Sequence, residues 1–468
     1  MNQSTVGTVA DGPKTATSPP PSYGLQQQVL SPLETLAQSI SLIAPSTTPA
    51  LTVPLVFGLA AAGAGLAYVI ATAAIFLVAL CVAAFARESA SPGSLYSYTC
   101  GSLSPVFSAI TAWALFFAYV MTAASVLGGF LNFSYVLLGG FGPHVPPIAL
   151  SLFAVAASMF VAYRDIRISA RLMMAIEATS MFLIAVVIAI TLYKHGLHLD
   201  ASQFRLRGVS MQGVRMGVML AIFSFVGFES ATTLGSEARD PLKTIPRAVI
   251  FSALLSGCFF LVCVYGEVLG FRGSPISLGD SAAPFHYLSE QAGISLAGKL
   301  IDIGVLVSMF AATLACVIAA SRVLLLMAHK GLVHARLKGI HASSETPGFA
   351  SVLTAVFAFV PVAVLAHRGV TGADIYGYMG TLAVFGFLTA YTLAAIALAV
   401  HLYREQRLTA WSILLCLAAV LAMIAGLLGN LFPVPPAPYR YFPYVYLVYL
   451  AVALVWYWIA GKREAHSI

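Results

Sequence analysis

An acidic residue inside an apolar run is the first candidate for chemistry in this sequence. The segment FVGFES places the carboxylate of Glu229 two residues after Gly227 and directly before a hydroxyl side chain. An ionised carboxylate inside a bilayer costs ~2.5–3.5 kcal/mol or more, so an acid at such a position is a functional candidate by default. Three functional roles fit Glu229: binding a substrate ammonium, carrying a coupling proton, or gating a site. A purely structural role would be to cap a restarting helix.

A second candidate lies earlier in the chain, in the segment APSTTP around Pro45 and Pro49. Proline in a helix interior removes a backbone donor and clashes with the preceding turn, at ~3 kcal/mol or more. Two prolines four residues apart therefore predict an unwound stretch, in which the free amides of Ser46, Thr47 and Thr48 coordinate a substrate. The alternative is a proline kink whose hydroxyl groups satisfy the backbone.

The composition identifies the environment in which these segments must sit. Of the 468 residues, 60% are hydrophobic and 9% are charged, and the mean hydropathy is +0.91. A soluble globular protein carries about 25% charged residues, so a soluble enzyme, a disordered protein and a nucleic-acid binder are excluded. The net charge of +7 is assigned to basic cytoplasmic loops, and the six cysteines show no zinc or disulfide spacing. An all-α polytopic membrane protein of about 12 helices remains.

The apolar segments define a transmembrane domain at residues 33–461. A disordered cytoplasmic tail is predicted before it at 1–32, and a short cytoplasmic tail after it at 462–468. The predicted spans are 33–58, 61–86, 105–138, 147–163, 171–193, 211–235, 246–271, 299–328, 350–366, 374–401, 409–430 and 442–461. With both termini in the cytoplasm, 16 of the 24 Lys and Arg residues fall on that side, as the positive-inside rule expects.

The two candidate segments interrupt the first and the sixth spans. That separation of five spans fits two inverted repeats of five helices, each opening with a broken helix. Irregular backbone at membrane depth is tolerated only where it is buried or lines a wet cavity. The two interruptions together therefore predict a central binding site.

Four segments resemble motifs of the amino acid–polyamine–organocation permeases, in the family's order, and the resemblance extends over roughly residues 33–461. The segments are 223–230 (FSFVGFES), 237–241 (EARDP) with 244–247 (TIPR), 91–98 (SPGSLYSY), and 321–324 (SRVL) with 331–332 (GL) and 346–347 (TP). The resemblance implies the leucine-transporter fold, a 5+5 inverted repeat plus two C-terminal helices. It also implies transport by alternating access.

The resemblance also implies roles for individual residues. Phe223 matches the position of an aromatic lid over the substrate. The resemblance also supports the gating role among those considered for Glu229. The predicted substrate-binding residues are Pro45, Ser46, Thr47, Thr48, Phe223, Phe225, Gly227 and Phe228. One departure is that the family's glycine-rich segment in span 1 falls on residues 47–51 (TTPAL), which hold no glycine. A substrate without an α-carboxylate is therefore an open alternative.

The sequence thus predicts a secondary active transporter of the plasma membrane for an amino acid or a related small amine. A polyamine or other organic-amine permease or exchanger is the alternative, and a channel or an intramembrane enzyme is less favoured. The predicted partners are the substrate, the lipid bilayer and a coupling ion, H+ or Na+. No nucleic acid, cofactor, metal or enzymatic activity is predicted, and the oligomeric state is left open.

Two further acids are given structural roles from their positions near span ends. Glu177 is expected to pair with Arg171 close to the cytoplasmic end of span 5. Glu267 is expected to reach water at the end of span 7.

Overall fold

The computed structural model describes residues 25, 27–139, 145–162, 166–196, 200, 203, 209–339 and 348–465, without the side chains of 162, 166–173 and 460–465. Throughout these residues the regular structure is helical, apart from one isolated bridge between Leu30 and Ala238. The tails predicted at 1–32 and 462–468 lie mostly outside the described residues.

Fifteen α-helices run through the described part of the chain. They are α1 (Pro32–Ile43), α2 (Val53–Ala60), α3 (Ala64–Ala86), α4 (Ser94–Ser102), α5 (Pro105–Leu138), α6 (Pro147–Ala162), α7 (Ile166–Lys194), α8 (Met211–Phe223), α9 (Pro241–Gly270), α10 (Pro284–Ala292), α11 (Ser295–His329), α12 (Gly348–His367), α13 (Gly372–Arg404), α14 (Ala410–Gly429) and α15 (Phe442–Ala465).

Within the described residues, nine helical segments are long and apolar enough to cross a membrane. The first of them, Pro32–Ala86, contains the predicted spans 33–58 and 61–86. The predicted spans 147–163 and 211–235 correspond to shorter apolar helices. An all-helical, polytopic membrane protein is therefore confirmed, while the count of twelve spans stays a prediction.

Helix α5 lies at the centre, packed between α11 and α13. Glycines allow the close approach: a Cβ at Gly128 would lie 2.7 Å from the backbone nitrogen of Tyr376, and one at Gly129 would lie 2.6 Å from the sulfur of Met309. At the periphery, α14 and α15 turn large apolar side chains such as Trp411 outward, as expected of lipid-facing helices.

Both predicted helix interruptions are confirmed, although the first is shorter than expected. Ser31 caps α1, which ends where Ala44 adopts a left-handed conformation with φ +48°. Helical geometry resumes at Thr47 and continues through a π-helical turn, Thr48–Thr52, into α2. The wider π turn accommodates Pro49, so the unwinding is confined to residues 44–46 instead of extending to Pro49.

The second interruption separates α8 from α9. Helix α8 ends at Phe223, a 3₁₀ helix runs from Ser230 to Leu234, and α9 begins at Pro241. Gly227 has φ +102°, a conformation that favours glycine.

We predict that Gly128→Ala destabilises the protein by about 1–3 kcal/mol, because the new methyl group meets the backbone of α13. Gly65→Ala is the matched control, since its Cβ meets nothing within 4 Å and alanine favours a helix. The two variants are heated in detergent, and the fraction of protein that remains monodisperse is measured at each temperature. Equal midpoints of these melting curves for Gly128→Ala and Gly65→Ala would contradict the tight packing of α5 on α13.

Candidate functional site

Glu229 lies in the second interruption and connects it to two other helices. The buried carboxylate accepts a hydrogen bond from the Tyr119 hydroxyl of α5 at 2.8 Å and one from the Tyr391 hydroxyl of α13 at 2.7 Å. The side chain does not cap the 3₁₀ helix that follows. The hydrogen bonds of the Glu229 carboxylate therefore do not support a helix-capping role.

The first interruption is held by an acid from a different helix. The backbone N–H of Ser46 donates to Glu177 Oε1 at 2.6 Å, and its hydroxyl donates to Oε2 at 3.2 Å. The hydroxyl of Ser308 in α11 also donates to Oε2, at 2.5 Å. Glu177 of α7 thus joins the interruption to α11, a role different from the ion pair with Arg171 expected from the sequence, whose arginine side chain lies outside the described residues.

The amides expected to coordinate a substrate are mostly engaged. The N–H of Ser46 is bonded to Glu177, and the N–H of Thr47 donates to the carbonyl of Ala44 at 2.8 Å. Pro45 has no N–H, and Thr48 is the first residue of the π turn, where helical N–H groups lack intrahelical partners. The hydroxyl of Thr47 is buried and has no hydrogen-bond partner among the described residues, so it is a polar group that this segment offers to a ligand.

Helix α1, which ends at the first interruption, packs directly against the second interruption. The hydroxyl of Ser39 in α1 donates to the carbonyl of Phe228 at 2.8 Å and accepts from the N–H of Ala231 at 3.1 Å. A Cβ at Gly227 would lie 2.8 Å from the Cβ of Leu42, so a glycine is required where α1 crosses. The helix that leads into the first interruption therefore contacts the second, and a binding site formed by both segments stays a prediction.

Three phenylalanines, one at the end of α8 and two in the second interruption, contact two helices, α13 and α9. The ring of Phe223 packs edge-on against Tyr376 at 5.5 Å, and Phe225 packs against Phe260 of α9 at 5.1 Å. Phe228 packs against Tyr391 at 5.3 Å. Tyr376 links Phe223 to the π turn after the first interruption, because its hydroxyl shares a 2.7 Å hydrogen bond with Thr52.

A buried ion pair joins two of the recognised sequence motifs. Arg322 of α11 donates from Nε and Nη2 to the two carboxylate oxygens of Glu237, at 2.8 and 2.7 Å. Both side chains are buried. The carbonyl of Glu237 accepts from the N–H of Leu30, so the chain ahead of α1 is attached to the same connector. The sequence contained both charged residues but did not indicate that they pair.

No cluster of three or more His, Cys, Asp or Glu side chains suited to a metal ion occurs within the described ranges. The site is a meeting of two interrupted helices, two hydroxyl-bonded carboxylates and an aromatic shell, buried in an all-helical membrane protein. Such a site is suited to binding a small molecule reversibly at membrane depth.

The chain belongs to the amino acid permease family, whose model matches residues 38–466, within the amino acid–polyamine–organocation superfamily. It is 25% identical over 314 residues to the branched-chain amino acid permease BcaP of Bacillus subtilis, and that match covers 62% of this chain and 65% of the relative. It is 25% identical over 362 residues to the methylthioribose transporter of the same organism, covering 73% and 75%. A low-affinity putrescine importer, PlaP of Escherichia coli, is 26% identical over 311 residues, covering 63% and 66%.

Thr47→Val should weaken substrate affinity severalfold without loss of protein from the membrane, because it removes an unpartnered hydroxyl at nearly constant volume. Thr354→Val is the control, since that buried hydroxyl is bonded to the Ala350 carbonyl of its own helix. KM for transport in proteoliposomes is the readout. An unchanged KM in Thr47→Val would favour a simple proline kink.

Glu237→Gln should destabilise the protein by ~3–5 kcal/mol, because it leaves the buried Arg322 without a charged partner. Glu88→Gln removes one partner of the exposed Arg407 pair and should cost less than about 1 kcal/mol. The double variant Glu237→Leu with Arg322→Met should recover part of the loss. The thermal unfolding midpoints of the three variants are compared. Equal effects of Glu237→Gln and Glu88→Gln on the midpoint would contradict a stabilising role of the buried Glu237–Arg322 ion pair.

Proposed function

We propose that this chain is a secondary active transporter of the plasma membrane that moves an amino acid or a related small amine by alternating access. The observation that carries the proposal is the contact of α1, which ends at the first interruption, with the second interruption beside the buried carboxylate of Glu229. Membership of the amino acid permease family supports it, as do relatives named as carriers of branched-chain amino acids and of putrescine. The proposed substrate-binding residues remain Pro45, Ser46, Thr47, Thr48, Phe223, Phe225, Gly227 and Phe228.

The proposed topology has twelve spans with both termini in the cytoplasm, arranged as a 5+5 inverted repeat followed by α14 and α15. In the proposed cycle, one set of helices moves against the other while substrate occupies the space between the interruptions. The first set comprises α1, α2, α3, α8 and α9, and the second comprises α5, α6, α7, α11, α12 and α13.

Glu229 is positioned to gate this motion, since its carboxylate belongs to the first set and both of its tyrosine partners belong to the second. Hydrogen bonds to a charged group contribute about 1.5–3 kcal/mol each, so releasing Tyr119 and Tyr391 would form part of the barrier to the transition. Coupling to H+ fits the same carboxylate, and coupling to Na+ is the alternative. Direct substrate binding ranks lower, because both oxygens already have partners.

Transport in proteoliposomes tests the proposal. A permease should show saturable uptake and exchange of labelled amino acids or amines across the membrane, and the dependence on pH and sodium gradients identifies the coupling ion. Flux that rises without saturation would indicate a channel. Chemical conversion of the substrate would indicate an intramembrane enzyme.

Glu229→Gln should lower the maximal transport rate by about tenfold while KM stays within about twofold, because the amide keeps the shape but cannot ionise. If Glu229 also carries the proton, the variant loses pH-driven accumulation and keeps exchange. Glu290→Gln, at an exposed position in α10, is the control. A large rise in KM with an unchanged rate would instead place the substrate ammonium on Glu229.

A further inference from the structure

A cavity of about 300 Å³ lies where the ends of α7 and α9 meet α10. None of its described lining residues belongs to either helix interruption, so it is separate from the candidate substrate site. Three basic side chains line it: Lys194, His195 and Arg272. No Asp or Glu occurs among the described lining residues. The cavity is therefore a basic one, and its chemistry is suited to an anion.

Contacts within the protein hold each of the three basic side chains in place. The Nζ of Lys194 donates to the carbonyl of Gln291 in α10 at 2.7 Å. The Nδ1 of His195 donates to the carbonyl four residues earlier at 2.8 Å, and Arg272 forms an ion pair with Asp200. An ammonium group has three N–H donors and a guanidinium has five. Each can therefore keep its bond within the protein and also bond a ligand.

A basic residue near the C-terminal end of a helix is common, because it complements the helix dipole. Lys194 in the last turn of α7 and Arg272 just after α9 each fit that explanation when taken alone. It does not account for their convergence with His195 on one cavity, because like charges gathered around one space repel each other. In the proposed topology this is the external face, where the positive-inside rule does not call for basic residues. A bound anion would remove the repulsion.

The cavity lies at the level where lipid headgroups meet the protein. Two helical segments long and apolar enough to cross a membrane, Met174–Lys194 and Pro241–Gly270, both end at it. Tyr193, directly before Lys194, is 74% exposed, as expected of an aromatic residue at the membrane interface. Basic pockets between membrane helices are suited to anionic headgroups. A phosphate group is therefore the anion that this position favours.

A second cavity, of about 280 Å³, adjoins the basic one and shares Arg272 and Ser274 with it. Its lining is mostly apolar and includes Phe57, Val268 and Ile276. A basic cavity beside an apolar one matches an amphipathic anion, whose phosphate occupies the first and whose acyl chain occupies the second. This arrangement favours a phospholipid over free phosphate as the source of the phosphate group.

We propose that the basic cavity binds a phosphate group between Lys194, His195 and Arg272. Its source is the headgroup of an anionic phospholipid or free phosphate, and the adjoining apolar cavity favours the lipid. The hydroxyls of Ser274 and Tyr287, which also line the cavity, add neutral donors. The site goes beyond the proposed transport function and does not depend on it, because no residue of the candidate substrate site takes part.

Thermal melting of the purified protein in a neutral detergent tests the site. Three additions are compared at matched pH and ionic strength: inorganic phosphate, dioctanoyl-phosphatidylglycerol and dioctanoyl-phosphatidylcholine. The anionic lipid should raise the midpoint by at least about 2 °C more than the zwitterionic lipid does. A rise with the anionic lipid alone identifies a lipid headgroup, and a rise with inorganic phosphate identifies the free ion as sufficient. No rise with either, or equal rises with the two lipids, would overturn the proposal.

Variants of Lys194 separate a built site from general attraction to a basic protein. Lys194→Gln should weaken binding of the ligand that raises the midpoint by at least about tenfold, because it removes a charge-assisted hydrogen bond. Lys194→Arg keeps the charge and should lose less. Lys299→Gln is the matched control, since this exposed lysine of α11 lies outside the described lining of the cavity. Equal losses in Lys194→Gln and Lys299→Gln, or unchanged binding in Lys194→Gln, would overturn the assignment.

Discussion

A helix interrupted inside a bilayer exposes backbone groups that only the protein can satisfy, and the arrangement of this molecule follows from that constraint. At the first interruption, Glu177 receives the N–H of Ser46 and so ties α7 and α11 to the point where α1 ends. At the second, Ser39 bonds both the carbonyl of Phe228 and the N–H of Ala231. Each interruption is completed by distant helices, which is why both lie at the centre of the fold.

Three of the buried acids, Glu177, Glu229 and Glu267, differ by the donors around them. Two donating residues contact the carboxylate of Glu177, and two tyrosine hydroxyls contact that of Glu229. The donors at Glu177 hold the broken backbone in place, whereas those at Glu229 lie across the proposed moving boundary. Glu267, expected from the sequence to reach water, is 0% exposed and has no such donors within the described residues. The same residue type thus occupies three different environments in one membrane domain.

Local sequence located the features that depend on local chemistry. Prolines predicted the first interruption, and a glycine before an acid predicted the second. Local sequence could not identify the residues that bond to Ser46 and Glu237. Ser46 and Glu177 are 131 residues apart, and Glu237 and Arg322 are 85 residues apart. The length of unwinding was overestimated because a π turn accommodates Pro49. The burial of Glu267 was missed because distance from a span end does not reveal the packing of neighbouring helices.

The central claim is that Glu229 joins two groups of helices that move relative to each other. Spin labels on cysteines at the exposed positions Lys243 of α9 and Tyr403 of α13, with the exposed Cys100 and Cys258 replaced by serine, would measure their separation in nanodiscs. Pulsed electron resonance should show a distance distribution that shifts when a transported substrate is added, with a different balance of populations in Glu229→Gln. One distribution, unchanged by substrate and by the substitution, would contradict the claim.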